Sequence, residues 1–482
     1  MYRHKYHILP PEGWLNDPNG SCYFNGKYHV FFQYSPGQPE GGDKYWGHYE
    51  SVDMINWKYV GIAISPDMEY DCDGAYSGCA YVDDGVMELF YTGNVKHPGN
   101  YDYINEGRGH NVLALKSIDG SHMSDKDVIL INADYPSDMS CHVRDPKVWR
   151  EGNGYFMLLG ARTRDSKPAL LLYKSQDKKN WKLEQTVYAD EKLGYMLECP
   201  DYFTLEDNIV VAACPQGMSH EDMRFQNIYE SGYFTMTESE MNDFYSSNNI
   251  SEISLSDRGE FLNELLQVKY FTEWDMGFDF YAPQSFEAAD GRRILIGWAG
   301  VPDAPYNNDA SVAEGWQHSM TVPGELDVKD GHVYRYPIRE LADLHINERR
   351  FEVESDRVIH TTSEAYDIRI TEIGASESAT VYINQDVSLT YNRDMKVCTL
   401  SFHNNTGAGR GSRKADMSML PGGGVLENIR ILFDQSLLEI YINDGETVFT
   451  SRYYPKRHDD MTIRFEGMAA EAVYWDMKEA IS

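Results

Sequence analysis

The sequence predicts an all-β protein, a five-bladed β-propeller followed by a β-sandwich domain. Three observations carry this reading. Tyrosine (35), tryptophan (9) and glycine (39) are prominent in a 482-residue chain of short alternating segments, the composition of pleated, half-buried strands. Apolar strands recur at 27–34, 86–92, 154–161, 208–214 and 293–299, most of them followed by Gly or a polar turn. The octet Ser51-Val52-Asp53-Met54-Ile55-Asn56-Trp57-Lys58 returns as Ser175-Gln176-Asp177-Lys178-Lys179-Asn180-Trp181-Lys182, and a weaker echo starts at Ser117-Ile118-Asp119-Gly120. A polar turn closed by Trp at repeated places is what radial repetition of small sheets produces. A pair of sandwiches is the alternative and gives no reason for the repeat.

In chain order, Met1-Tyr2-Arg3-His4-Lys5-Tyr6-His7 opens polar, with no apolar run of signal-peptide length. Trp14-Leu15-Asn16-Asp17-Pro18-Asn19-Gly20 has turn chemistry and leads into an alternating strand, Tyr28-His29-Val30-Phe31-Phe32-Gln33-Tyr34. The propeller is assigned to residues 1–335. Within it, 218–275 is acidic and less regular (Glu221-Asp222, Glu238-Ser239-Glu240, Asp257) and reads as insertions between strands. Mixed charge and helical spacing make 336–350 a linker. From 351 the pattern resets to alternating strands, including Thr380-Val381-Tyr382-Ile383, Ile429–Phe433 and Leu438–Ile442 running into Asn443-Asp444-Gly445, a hairpin signal. Residues 351–482 therefore read as the C-terminal β-sandwich, at about 130 residues a usual domain size. The run Gly407-Ala408-Gly409-Arg410-Gly411 lacks a strand-to-helix context and reads as a mobile loop, not a phosphate cradle.

Composition excludes partner classes. Forty-three basic against 76 acidic residues give a net charge of −33, which opposes nucleic acid and anionic membrane surfaces. Seven cysteines without CxxC pairing indicate neither a disulfide framework nor a zinc site. No segment approaches membrane-spanning length, and a soluble, reducing, cytoplasmic setting is expected.

Three acids stand in unusual contexts: Asp17; Asp145 in Arg144-Asp145-Pro146; and Glu198 in Glu198-Cys199-Pro200. Each is followed by Pro at once or two residues on, and each precedes one of the recurring apolar strands. In a propeller all three approach the central funnel from different blades. Cleaving a glycosidic bond with retention needs a carboxylate nucleophile and a second carboxyl that serves as acid and then base, about 5–5.5 Å apart. Arg144 is expected to keep Asp145 ionised, whereas Glu198, with no adjacent cation in sequence, is expected to keep its proton longer. Taken singly, each acid also fits a capping or turn role. An inverting propeller hydrolase of pentose glycans and a non-catalytic carbohydrate-binding protein are the competing readings.

With these motifs the chain resembles glycoside hydrolase family 32, the invertase, sucrose-6-phosphate hydrolase and fructan β-fructosidase group. The resemblance is also carried by Trp46-Gly47-His48, Tyr76-Ser77-Gly78, Asn227-Ile228-Tyr229-Glu230-Ser231-Gly232-Tyr233, Phe278-Asp279-Phe280-Tyr281-Ala282-Pro283-Gln284, Ile296-Gly297-Trp298 and Asn443-Asp444-Gly445-Glu446. It implies Asp17 as nucleophile, Glu198 as acid/base and Asp145 as transition-state stabiliser. It further implies substrate contacts from Asn16, Gln33, Trp46, Tyr76, Ser77, Arg144 and Trp298, a small sugar as partner, and no metal or organic cofactor. Four places depart from the family pattern: Leu15 for Met, Leu197 for Trp, Tyr49-Glu50 for small residues, and Gly324 for Arg. The departures leave the leaving-group side, and so the choice among sucrose, sucrose 6-phosphate and short fructo-oligosaccharides, open. Arg162 and Arg164 are the cations noted for a phosphate. A homodimer contact is assigned, if anywhere, to the stretch 446–454.

Overall fold

The structure, a computed structural model, describes residues 2–248, 258–404, 406–456 and 461–482; Asp257 of the acidic segment lies outside them. Five antiparallel four-stranded meanders form a propeller. Their first strands are Gly13–Phe24, Ala75–Asp83, Met139–Glu151, Met196–Leu205 and Tyr281–Glu287, and these pack side by side in a ring around the axis. The recurring apolar stretches of the sequence are the second strands, Lys27–Ser35, Val86–Lys96, Gly154–Thr163, Asn208–Gln216 and Arg293–Trp298. They are apolar because they lie inside a blade, covered by neighbours on both faces. The ring is closed by Trp316–Gln317, which leaves blade 5 and pairs parallel with Gly13 and Trp14 of blade 1.

The repeated octet is one device used at one place. In blades 1, 2 and 3 it joins the third strand to the fourth. The Ser hydroxyl accepts from the backbone N–H three residues on (Met54, Gly120, Lys178). That residue has a positive φ each time, 63°, 85° and 60°. The Asp carboxylate collects the next backbone N–H groups. In the two full copies the indole N–H donates back to the carbonyl of the left-handed residue, at 2.9 and 3.0 Å. In blade 4 the same connection is replaced by an insertion with helices Glu238–Asn248 and Arg258–Leu265, whose Phe244, Phe261, Leu262 and Leu265 are buried in the core between blades 3 and 4.

The stretch 336–350 is less of a linker than its charge suggests. Pro337 ends the last propeller strand, Arg339–Leu344 is one 3-10 segment, and His345–Val353 is already a strand of the second domain. Its mixed charges are those of an edge strand. In the second domain two long strands, Ala365–Ile383 and Thr462–Met477, pair with each other and bend at irregularities near 371–380. Their two halves join two different sheets, one completed by His345–Val353, Ile429–Asp434, Leu437–Ile442 and Thr447–Arg452. The other is completed by Val358–His360, Val387–Asn392, Val397–Phe402 and Ser412–Asp416. Ile368, Ile431 and Phe449 of one sheet share a single buried cluster with Val381, Leu389 and Ile463 of the other. This is a β-sandwich.

Buried charged groups join the domains. Asp275 accepts from Arg335 at 2.5 Å and from the Thr450 N–H and hydroxyl at 2.8 and 2.6 Å. Asp279 takes both arms of Arg410 at 2.7 Å and the Arg452 N–H at 2.8 Å. The His7 ring lies between Asp434 (2.9 Å) and Glu439 (2.8 Å). The carboxylates raise its pKa to about 9 against the burial that would lower it. Two expectations change here. The Gly407–Gly411 loop is a packed part of the interface, because Arg410 is buried against Asp279. The strand Thr447–Arg452 is wholly buried and faces the propeller, so the stretch 446–454 is not free to contact a second copy. All seven cysteines are free thiols, and among the described residues no helix is long and apolar enough to cross a membrane.

Candidate active site

Every inner strand of the propeller carries the same irregularity. Against its neighbour, each spans three residues where the partner spans two: Leu15–Pro18, Ala75–Gly78, Arg144–Lys147, Glu198–Asp201 and Tyr281–Gln284. A β-bulge unpairs a residue, bends the strand and re-aims its side chains. In blades 3, 4 and 5 the bulge opens with a left-handed residue followed by Pro. These are Asp145 (φ 62°), Cys199 (46°) and Ala282 (46°), uncommon angles for residues other than Gly that a rigid surround has to maintain. The three acids occupy successive positions of this common bulge. Glu198 is the residue before it, Asp145 its first residue and Asp17 its second. Placement at offset positions lets side chains from three blades converge instead of standing in parallel.

Converge they do. The thiol of Cys199 lies 3.7 Å from Asp17 Oδ2 and 3.7 Å from Asp145 Oδ2, so one sulfur separates the two carboxylates. Asp17 Oδ2 also accepts from the Ser77 hydroxyl and from Gln33 Nε2 at 3.2 Å. Among the described residues Asp17 Oδ1 accepts only from Asn16 Nδ2, at 3.1 Å. The amide of Asn16 is oriented in turn by the Trp14 indole N–H (2.8 Å) and by Gln33 Oε1 (3.0 Å). The Asn-Asp-Pro-Asn-Gly turn chemistry therefore serves a bulge whose hydrogen bonds fix one carboxylate. Asp145 Oδ2 accepts the Cys199 backbone N–H at 2.9 Å, and the Asp145 N–H donates to Thr92 Oγ1 at 2.8 Å. Glu198 is held on both oxygens: by Arg144 Nη2 and Nε (3.1 Å) on Oε1, and by Tyr281 OH and Gln216 Nε2, each at 2.7 Å, on Oε2.

The charge arrangement reverses the sequence expectation for Arg144. Its guanidinium pairs with Glu198 and stands 3.9 Å from Asp145, because the left-handed turn at Asp145 sends the neighbouring side chains in different directions. Glu198 does have a cation beside it. Asp145, 5% exposed, is pushed up to about 7 by burial and by the Glu198 charge, against the pull of Arg144. Burial raises Asp17 also, opposed by its Ser77 hydrogen bond. Lys44, 4.9 Å above the Trp14 ring, is lowered to about 8 by burial, with Asp17 pulling the other way.

An acid whose pKa is raised on folding costs stability once pH exceeds its unfolded value, and the cost is complete above its folded value. We expect Asp145→Asn to raise Tm above pH 7 by about 2 °C or more, with the gain shrinking to nothing near pH 4. A pH series of thermal melts on the ligand-free protein checks this. A lower Tm at pH 7.5 would contradict it.

Of the other implied contacts, Asn16, Gln33, Ser77 and Arg144 join this constellation, and Tyr76 lies within electrostatic reach of Arg144 and Glu198. Trp46 has no exposed surface. Its indole donates to the Tyr76 carbonyl at 2.9 Å, so it supports the bulge of blade 2 from beneath. Trp298 is 2% exposed, packed between Trp14, Tyr281 and His318. Tyr281, Gln216, Cys199 and Thr92 were not singled out by sequence reasoning. Tyr281 and Cys199 lie inside motifs already noted, whereas nothing local marks Gln216, at the end of an ordinary apolar strand. The departures from the family pattern leave the site largely alone. Leu197 is fully buried in the core of blades 3 and 4 and forms no wall beside Glu198. Glu50 pairs with Lys27 at 2.9 Å, and the space over Gly324 is filled by Arg335.

Two family models match the chain: glycosyl hydrolases family 32 N-terminal domain over residues 7–337, and the family's C-terminal domain over 337–476. A sucrose-6-phosphate hydrolase of Bacillus subtilis is 34% identical over 466 residues, covering 94% of this chain and 89% of that one. Among solved structures, a mutant Bombyx mori beta-fructofuranosidase in complex with sucrose superposes with a TM-score of 0.82 at 25% identity, covering 100% of this chain and 95% of the other. A Lactobacillus gasseri sucrose-6-phosphate hydrolase gives 0.82 at 27% identity, with 99% and 94% covered.

Proposed function

The chain belongs to glycosyl hydrolase family 32, and from that membership we propose a retaining β-fructofuranosidase that releases the terminal β-D-fructofuranosyl unit of sucrose, sucrose 6-phosphate or short fructo-oligosaccharides. That it is a glycoside hydrolase of sucrose-type substrates follows from the family and its relatives; the stereochemistry and residue roles are our reading.

The observation that carries the reading is the convergence of Asp17, Asp145 and Glu198 on one locus, each in a different hydrogen-bonded environment. Asp17 Oδ1, the less encumbered oxygen, attacks the anomeric carbon. The bond from that carbon to the leaving oxygen breaks, its electrons go to the oxygen, and Glu198 supplies the proton. Water then attacks the same carbon and gives its proton to Glu198, and the ester to Asp17 breaks with release of fructose. For the first step Glu198 has to carry a proton. Arg144, which reaches both Glu198 and Asp145, frees it by moving toward Asp145. Asp145 then holds fructosyl hydroxyls whose charge changes in the transition state. Tyr281 and Gln216 keep Glu198 oriented in both half-reactions. We assign Asn16, Gln33, Tyr76, Ser77 and Arg144 to the fructosyl pocket, and Trp46 and Trp298 to its support.

The test is to incubate the purified protein with sucrose, sucrose 6-phosphate and 1-kestose and follow fructose. Release from at least one is expected. No release from any would overturn the proposal.

A further inference from the structure

In each blade one residue of the second strand lies opposite the bulge of the inner strand. The registers place Gln33 there in blade 1, Thr92 in blade 2, Leu159 in blade 3, Ala213 in blade 4 and Gly297 in blade 5. A bulge takes a residue out of the ladder, and the residue opposite is its nearest neighbour on the partner strand. Blades 3, 4 and 5 fill this position with an apolar side chain or none. In blade 1, Gln33 works on the site directly, its amide bonding Asn16, Asp17 and Ser77. The equivalent polar residue of blade 2 is Thr92, which is wholly buried.

The Thr92 hydroxyl serves two bulges at once. Its proton goes to the Ser77 carbonyl at 3.0 Å, and its oxygen accepts the Asp145 N–H at 2.8 Å. Ser77 belongs to the bulge of blade 2, and its own hydroxyl donates to Asp17 Oδ2. Asp145 opens the bulge of blade 3 at a φ of 62°, a left-handed angle that its surroundings have to maintain. Thr92 restrains its backbone N–H, and the Cys199 N–H restrains its Oδ2 at 2.9 Å. One hydroxyl thus ties the acid of blade 3 to the serine that holds the acid of blade 1. Blade 2, which carries none of the three acids, sets two of them against each other.

Removing that hydroxyl takes a partner from a buried N–H and from a buried carbonyl. The Ser77 side has other supports: Gln33 donates to its hydroxyl, while Gly78 donates to Asn19 Oδ1 at 3.2 Å and accepts from Gln284 Nε2 at 2.6 Å. The strained backbone of Asp145 is therefore where the loss falls.

We infer that Thr92 is a positioning residue for the reaction, setting Asp145 against Asp17 by bridging the bulges of blades 2 and 3. The inference rests on the fructosidase reading, in which Asp145 stabilises the transition state. Such stabilisation depends on groups fixed in place before the reaction, and a misplacement of about 1 Å costs about 10²-fold. Because Asp145 acts on the fructosyl unit, the effect is independent of the leaving group.

The experiment measures kcat and KM on the fructoside that the native protein turns over best, and kcat/KM on β-fructosyl fluoride. It is run on the native protein, Thr92→Val, Thr92→Cys and Thr92→Ser, with circular dichroism and a thermal melt on each. Thr92→Val keeps the shape and loses the hydroxyl. Its kcat is expected to fall about 10²-fold with KM within about threefold of native, and its kcat/KM to fall alike on both substrates. Thr92→Ser, which keeps the hydroxyl, is expected within about threefold of native. Thr92→Cys, whose thiol is a weaker donor and acceptor, is expected between the two and carries the comparison where Thr92→Val does not fold. Added to Asp145→Asn, Thr92→Val is expected to cost at most about threefold more, since the charge it positions is already gone. A folded Thr92→Val, or failing that Thr92→Cys, with native kcat overturns this inference and leaves the fructosidase reading intact. So does an undiminished further loss on top of Asp145→Asn. Absence of turnover by the native protein on every substrate overturns both.

Discussion

Replacing Asp17 with Ala is expected to lower kcat on sucrose-type substrates by about 10⁵-fold, with the fold retained. The size follows from the proposed role: if Asp17 is the attacking carboxylate, no covalent intermediate forms without it, and neighbouring groups provide only residual binding and charge stabilisation. Retention of the fold follows from the structure. Asp17 is one of several acceptors in a network whose other members, Asn16, Gln33 and Ser77, also bond one another. Removing a carboxylate that burial holds above its usual range relieves repulsion toward Glu198. Steady-state kinetics beside a thermal melt checks both halves. A variant that keeps more than about one-hundredth of the native kcat would remove Asp17 from the reaction.

Glu198→Gln is expected to cost about 10³-fold in kcat on sucrose and far less on β-fructosyl fluoride. Fluoride departs without protonation, so the loss of a general acid matters little for its departure. The amide oxygen can still accept from Arg144 while its NH2 donates to the Tyr281 hydroxyl oxygen, which keeps the pocket's shape. The two substrates together distinguish an acid/base from a residue that only binds. A loss in kcat/KM, which reports the first half-reaction, equal on both would assign Glu198 to positioning. Fluoride turnover in this variant should then be limited by the second half-reaction, where water loses its base, and added azide should speed it.

Much of the fold was legible because its determinants are local. The Ser-x-Asp-x-x-Asn-Trp turn is complete within eight residues, so its recurrence reports blade repetition directly. Blade 4 hides its repeat, since two helices occupy the place of the turn. The three acids were legible through the prolines that follow them, and the bulges explain that signal: Pro18 ends the bulge of blade 1, while Pro146 and Pro200 follow left-handed residues. Which charge meets which was not legible. Arg144 is adjacent to Asp145 in sequence, yet a φ of 62° between them turns it to Glu198 on the next blade. The partners of Glu198 that were missed, Gln216 and Tyr281, arrive from blades 4 and 5 through tertiary packing alone. The same reasoning accounts for Leu197, whose neighbours in sequence suggest the pocket and whose alternation along the strand delivers it to the core.

The central claim is that Asp17 acts through a covalent fructosyl ester, and its most direct test is the anomeric configuration of a trapped product. Turnover in aqueous methanol converts part of the fructosyl-enzyme into a methyl fructofuranoside that does not mutarotate, and its configuration is read by NMR. Two displacements at the anomeric carbon predict methyl β-D-fructofuranoside. Methyl α-D-fructofuranoside as the first product would mean a single displacement and contradict Asp17 as the nucleophile.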